Sequence, residues 1–457
     1  MSYITNEALV VLENELVLAN RVERQYSDEY AQTGAKVGNT VDIRRPPRYI
    51  GTYGSPLSVE DTYETSVLVA LNYQFHVDVQ FTTQDLALSM DMFKKRILRP
   101  QVAAVANRID SDTAQYATLN TATVVGTFGI QPASYKVFSD ARAFLAAESC
   151  PTEGEKNCVL DPITMSAATD SIKGLFNPQV ALGEYIDKGL IARNFAGLDW
   201  WEDQNISTFQ TGTQIVNSAG TGVGVQDVNG TAFLTTGWAA TGTINLKNLS
   251  HTTTQAVLNV GDTIQFTGCY PVNPQNRLQY GRTPKSFVIL PPGGFVTPPN
   301  GAATPGLVYG IGPALTYGTF SPATGSYYPN SSGQVTVYIG ECIISGGQFQ
   351  NISAAPTTST QCIVNGIAYA STLTTSGSVS SPQGLVFHKY AFALAFADLP
   401  LPRGVEFAAR AYDDEDVGMS IRVVTQYTIN NDSEPTRCDV LYGPASLYRS
   451  FGVRVAS

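Results

Sequence analysis

Charge is scarce in this sequence and histidine scarcer still. Asp, Glu, Lys and Arg make up 14% of the 457 residues, against about a quarter in ordinary globular chains. His76, His251 and His388 stand far apart, with no HExxH or HxxxH spacing and no neighbouring cysteine pair, so each reads as an ordinary structural or surface residue. Six cysteines are scattered without a CxxC and read as small buried hydrophobes of a reducing compartment. No apolar run approaches the ~18 residues of a membrane span. The apolar start Ala8–Leu12 is cut by Glu13 and Glu15 and lacks a basic leader, which argues against a secretory signal. There is no GxSxG elbow and no GxxxxGK[ST] phosphate loop. Gly220-Thr221-Gly222-Val223-Gly224 lacks the last spacing of a dinucleotide fingerprint and leads into β-like sequence. A net charge of −10 disfavours a protein built to grip nucleic-acid backbone, which takes clustered Lys and Arg.

What is present points to a β-rich fold. Apolar residues are 43% of the chain, with 40 Gly and 25 Pro, a balance of core and turns rather than disorder. The charge is also unevenly spread. The 185 residues from Gln204 to His388 hold seven charged side chains (Asp227, Lys247, Asp262, Arg277, Arg282, Lys285 and Glu341), while the other 272 hold 59 and a net −11. Two kinds of sequence are spliced, and the length suits more than one domain.

Near the start, Thr5 reads as an N-cap with Ile4 placed to staple onto Leu9, and Leu9, Leu12, Leu16 and Ala19 continue at helical spacing. Residues 45–75 read as an extended β-loop, since Pro46, Pro47 and Pro56 forbid a helix. Leu98, Val102, Val105, Ile109 and Tyr116 share one face of a helix predicted from about Arg99 to Leu119, with Arg99, Arg108 and Asp112 off that face and Pro100 in the first turn. Helices over Ser139–Ala147 and Ser166–Gly174 mix with short strands in an α+β unit. Then Thr263–Phe266, Ser286–Leu290, Val335–Ile339 and Gln361–Ile367 read as strands of a small barrel or sandwich. The uncharged stretch Pro291–Asn330 is too long for a simple hairpin loop. Strand candidates return around Ser420–Tyr427 and Cys438–Tyr442.

Candidate sites are few. Asp413-Asp414-Glu415-Asp416 could gather a divalent cation but lacks EF-hand spacing and reads as a solvated or salt-bridged loop. Lys94-Lys95-Arg96 and Arg99 open the long helix at its positive dipole end, where cations are unfavourable, so a docking site for acidic groups of another subunit stands beside a plain solvated face. Trp200-Trp201 reads as core and edge of core, or as an interface anchor. No catalytic, metal or cofactor residue emerges, and an enzyme is not expected.

Several segments, in order, resemble the major capsid (coat) proteins of tailed bacteriophages with the Hong Kong 97-type fold, closest to short-tailed-phage coat proteins carrying a β-rich insertion. They are Ile4–Leu9, Gly197–Asn205, Val260–Ile264, Tyr270–Gln275, Gln350–Pro356, Asp398–Val405, Gly418–Val423 and Arg437–Gly443. The resemblance implies an α+β shell subunit: an N-terminal arm (1–45), an E-loop (46–75), a peripheral domain with a spine helix (76–134) and its C-terminal strands (413–457). An axial domain (135–206 and 384–412) would be interrupted by a β-barrel or sandwich insertion (207–383). It further implies pentamers and hexamers in an icosahedral head enclosing double-stranded DNA without sequence-specific binding, assembled in the host cytoplasm. Expected partners are a separate scaffolding protein, since about 45 residues before the loop are too few for a built-in one, a portal protein at one vertex and a cement protein. No cofactor and no membrane is implied. Loop acids Glu60, Asp61 and Glu64 are expected to dock on a neighbour's Lys94, Lys95, Arg96 and Arg99. Some relatives weld neighbours through an E-loop lysine; none lies between Lys36 and Lys94, so a non-covalent shell is expected. The alternatives are a cellular nanocompartment shell of the same fold, and a carbohydrate-binding or adhesive β protein.

Overall fold

The long helix predicted by periodicity is present and longer by one residue: α1 spans Arg99–Asn120, about 33 Å. Val102, Val105 and Ile109 are fully buried, as the apolar face requires. Off that face Asp110, Asp112 and Thr113 are buried too, while Arg99 is exposed. Asp112 accepts hydrogen bonds from Arg108 one turn earlier (2.9 Å) and from the Tyr442 hydroxyl (2.6 Å), and burial lifts its pKa. The helix is therefore covered on two sides rather than amphipathic against solvent. The computed structural model describes residues 8–9, 12, 15–27, 40–45, 47–49, 51, 54–57, 59, 62–82, 99–132, 134–152, 156–172, 197–213, 223–249, 256–281, 283–296, 307–365, 378–405, 407–413 and 419–457. The predicted Thr5 cap and Ile4 staple lie outside them, but Leu9, Leu12, Leu16 and Ala19 are buried as expected.

A first sheet packs on α1. Its hub is the 14-residue strand Ser433–Ser446, one edge of which pairs antiparallel with Tyr73–Thr82. Met419–Thr425 and then Phe392–Ala397 pair elsewhere along the same hub. Phe407–Asp413 joins Met419–Thr425, and Glu23–Ser27 adds parallel to Phe392–Ala397. The run Phe392–Ala397 is buried at all six positions, the mark of a strand covered on both faces. A second sheet takes Thr123–Gly126, Gly452–Ala456, Ser380–His388, Lys156–Leu160 and Asp199–Glu202, in that order. It carries α2 (Lys136–Ala147) and α3 (Pro162–Ile172), which start three and four residues earlier than predicted. Trp200 is core here, edge-on to Phe138 at 5.2 Å. Trp201 is half-buried, under the Arg21 guanidinium at 3.8 Å.

These pairings move the expected division of the C-terminal half. Strands Phe392–Ala397 and Phe407–Asp413, expected in the axial part (384–412), pair within the first sheet. The last strand, expected among the peripheral strands (413–457), crosses into the second sheet through Gln383↔Ala456 and its neighbours. Local pattern marks a strand but not which sheet will take it.

The low-charge region is a barrel. Six antiparallel strands run in the order Cys362–Val364, Thr263–Phe266, Ser286–Leu290, Val335–Gly340, Thr241–Lys247, Gly224–Asp227. The ends meet through a Gly224↔Gln361 bridge and a 2.7 Å bond from the Cys362 N–H to the Val223 carbonyl. Closure removes the edges that a sandwich would expose. The chain leaves and re-enters through paired strands, Thr208–Gln210 against Ser380–Pro382. The described part of Pro291–Asn330 lies over the barrel: Tyr327 is buried and donates to the Leu290 carbonyl (2.5 Å), and Phe295 meets Tyr116 of α1 at 5.3 Å.

Candidate functional site

Two strands, Thr40–Arg45 and Thr65–Ala70, form a hairpin arm in register from Thr40↔Ala70 to Arg45↔Thr65. The paired strands therefore begin six residues before 46. They end before 75, because Tyr73 already belongs to the first sheet. Side chains alternate along the arm: Val69 and Leu71 pack on Ala395, Ala397 and Ala445, while Leu68, just before them, is 65% exposed. At the foot of the loop that joins the two strands, Arg45 is clamped. Its Nε donates to Thr65 Oγ1 (3.0 Å) and its Nη1 to the Leu447 carbonyl (2.9 Å), and its guanidinium lies 4.1 Å from the Trp238 ring. Burial pulls the Arg45 pKa down, partly offset by Glu341. Between Tyr49 and Glu64 the described residues are open to solvent, with Leu57 90% and Val59 80% exposed. Tyr63 meets Phe349 of the barrel region edge-on at 5.7 Å.

Of the seven predicted docking residues, Glu60, Asp61, Lys94, Lys95 and Arg96 lie outside the described residues. Glu64 sits 3.6 Å from Arg44 of the opposite hairpin strand, and Arg99 sits 3.4 Å from Glu15. Both are exposed pairs of the kind worth about 0–1 kcal/mol. The acidic run begins at Asp413 at the end of a strand, and Asp414, Glu415 and Asp416 lie outside the described residues.

Sequence reading missed the groups that join the barrel to the body. Asp262 is fully buried; its oxygens accept the N–H of Asn259 (2.7 Å) and of Gly212 just past the connecting strand (3.1 Å), and the Asn365 amide (2.7 Å). Burial raises its pKa to about 6 against the pull of those donors and of Arg454. Arg454, in the last strand of the second sheet, is also fully buried and donates to the Gly261 carbonyl (2.7 Å). At a second joint, Lys285 of the barrel meets Glu148 past the end of α2 at 3.1 Å, and the Tyr280 hydroxyl donates to the same carboxylate. At a third, Arg449 donates to Asn120 of α1 (3.2 Å) and to the Ala240 carbonyl (3.4 Å). The only sequence signal was negative: charges inside an otherwise uncharged segment.

A cleft of about 760 Å³ opens between the hairpin arm, the end of α2 and the barrel. Arg44, Arg45, Arg48, Tyr49, Tyr390 and Tyr448 line it together with two carboxylates, Glu23 and Glu148. Among the described residues no three His, Cys, Asp or Glu side chains gather as a metal site would need. All six cysteines are buried free thiols whose pKa burial raises where it acts, Cys362 to about 12, so none is a poised nucleophile. No described helix is long and apolar enough to cross a membrane.

The loop leaves Leu57 and Val59 bare to solvent, apolar surface of the kind that contacts between proteins cover. Solved structures align over nearly the whole chain. They include "Mycobacterium phage Che8" (11% identity, 97% of this chain and 92% of that one, TM-score 0.38). Others are the capsid of cyanophage P-SCSP1u (10%, 96% and 88%, TM-score 0.41) and the virus-like particle from Pyrococcus furiosus (7%, 99% and 98%, TM-score 0.34). None of these scores reaches 0.5, and the weight rests on the family comparison. No curated protein sequence matches the chain. The family described as "P22 coat protein - gene protein 5" matches residues 1–297, which takes in the arm, α1, the second sheet's helices and the first half of the barrel. The chain belongs to the P22 coat protein family and is a major capsid protein of a tailed-phage head, an α+β subunit carrying an inserted β-barrel.

Proposed function

We propose that the subunit assembles as pentamers and hexamers into an icosahedral head around double-stranded DNA, in the host cytoplasm, with a separate scaffolding protein, a portal protein at one vertex and a cement protein as partners. The family match over residues 1–297 carries this reading. In it, α1 with the first sheet acts as the peripheral domain, and the second sheet with α2 and α3 as the axial domain. The barrel is a rigid module between them. Many modest interfaces then close by symmetry rather than by one strong contact. The role is structural rather than catalytic. The net −11 outside Gln204–His388 suits a lumen along which DNA packs without adhering. Negative-stain imaging of the purified protein tests the reading: particles or capsomers are expected, and a strictly monomeric protein under all assembly conditions, scaffold included, would refute it.

Within that shell, Glu60, Asp61 and Glu64 of one arm dock on Lys94, Lys95, Arg96 and Arg99 of a neighbour. The exposed pairs Glu64–Arg44 and Arg99–Glu15 support this, since each is weak enough to exchange for a contact between copies. Lys94→Glu with Lys95→Glu should impair assembly without unfolding the subunit. Shells formed in normal yield would sink the pairing and leave the family assignment standing.

A further inference from the structure

The cleft at the foot of the hairpin arm carries more positive charge than the chain answers. Its two carboxylates are already engaged: Glu23 pairs with Lys389 (3.0 Å), and Glu148 holds Lys285 and the Tyr280 hydroxyl. Arg45 lies on the Trp238 ring with Glu341 nearby, a carboxylate that Arg449 shares, and Arg44 has the exposed, long contact with Glu64. Arg48 makes no ion pair among the described residues, although it is half-buried. Three guanidiniums between residues 44 and 48, beside the rings of Tyr49, Tyr390 and Tyr448, make a surface that accepts carboxylates in a row. A volume of about 760 Å³ suits a short peptide segment better than a small ion.

The sequence holds one segment of matching chemistry, the four consecutive carboxylates Asp413–Asp416. The strands that flank it, Phe407–Asp413 and Met419–Thr425, pair with each other and with Ser433–Ser446, and none of them lines the cleft. Within one chain the described strands on either side of the acidic segment therefore stay clear of the cleft. We propose that the Arg44–Arg45–Arg48 cleft receives the acidic segment Asp413–Asp416 of a neighbouring copy, a head-to-tail contact of the kind that closes rings. It rests on the shell reading above. It differs from the docking of Glu60, Asp61 and Glu64, because here the arm contributes cations from its foot rather than acids from its tip. Arg45 is fixed by Thr65 and Leu447, so the cleft is organised before the neighbour arrives.

Charge exchange tests it. Arg48→Glu, or Glu415→Lys with Asp414→Lys, should each lower the yield of assembled particles about tenfold, since like charges across an interface cost several kcal/mol. The urea midpoint of the free subunit should stay unchanged. Combining the two changes should return the yield to within about twofold, a gap of under ~0.5 kcal/mol. In intact shells, Arg48→Cys and Glu415→Cys in one chain should be joined between subunits by a short bis-maleimide into a ladder, because the native thiols are buried. Normal shells from Arg48→Glu, intact shells without the ladder, or a link confined within one chain would each overturn the cleft contact while leaving the shell reading in place. Inhibition of assembly by inorganic phosphate as strong as by a peptide of residues 411–418 would overturn it too, by making the cleft a free-anion site. Failure of the unmodified protein to form any particle would count against the shell reading instead.

Discussion

Replacing Asp262 by alanine asks whether the barrel is held to the body through one buried carboxylate. The change strands three donors inside the protein: the N–H groups of Asn259 and Gly212 and the Asn365 amide. Each unmatched buried donor costs about 1–3 kcal/mol, roughly 3–9 together. Part of this is offset, because the carboxylate is itself strained by burial. Lifting its pKa from 3.8 to about 6 corresponds to roughly 3 kcal/mol against the ionised form at neutral pH. Arg454, whose own pKa burial lowers to about 10, also loses the carboxylate that opposes that shift. The expected net loss is about 2–5 kcal/mol, in line with breaking a buried charge pair. Asp262→Asn keeps the shape but turns an amide toward donors, so it should fall between alanine and the parent.

The assay is equilibrium urea unfolding of the unassembled subunit at several pH values, with limited proteolysis at the barrel's connecting strands. The pH dependence supplies an independent check. A carboxyl whose folded pKa is raised keeps a proton that the unfolded chain releases; its contribution is complete below about 3.8 and is lost as pH rises through about 6. Both variants lack that titration and should show a flatter stability profile between pH 4 and 6. Stabilities within about 0.5 kcal/mol of the parent at neutral pH, with the profile unchanged, would refute the reasoning.

Asp110 should shape a second, wider window: burial, with Asp203 nearby, raises it to about 7, so its contribution is lost between pH 4 and 7. It also accepts the N–H groups of Val17 (2.7 Å) and Ala19 (2.9 Å), so Asp110→Asn should flatten that window and make the segment before α1 easier to cleave with protease. Glu148→Ala should destabilise the subunit by about 3–5 kcal/mol by stranding Lys285, and Glu148→Leu with Lys285→Met should recover most of it in the same urea titration. Leu57→Asp should leave that titration within about 0.5 kcal/mol, because the residue is 90% exposed, yet lower particle yield if the arm buries it on a neighbour. Mature particles on a denaturing gel should give a monomer band, since the arm between Lys36 and Lys94 has no lysine to form a covalent weld; a ladder would contradict this.

Periodicity carried much of the fold because it reports local burial. The faces of α1 and the barrel strands Thr263–Phe266 and Ser286–Leu290 fall where alternation and helical spacing put them. Pairing between distant segments leaves no such local mark. Nothing in Gly452–Ala456 tells that it will lie beside Ser380–His388 rather than continue the first sheet, and nothing in Asp112 tells that Tyr442, 330 residues away, will supply its donor. The basic residues proposed to dock stand out only as charge at the wrong end of a helix, which motivates a partner without locating one.

The low charge of the insertion takes on a different meaning once its few charges are placed. A module that merely sat beside the shell fold would scatter them over its surface. Instead Asp262 and Lys285 are buried where the barrel meets the body, facing Arg454 and Glu148. Glu341, held at a left-handed φ of 70°, raises the pKa of both Arg45 and Arg449 against their burial. Three of the seven charges thus act at joints, and each joint ties the barrel to a different part of the chain: the last strand, the end of α2, and the foot of the hairpin arm. Buried charges of this kind add little net stability but penalise any misplacement of the partner by several kcal/mol. The barrel therefore holds the arm in place against the body, because displacing it would strand each of these charges at once.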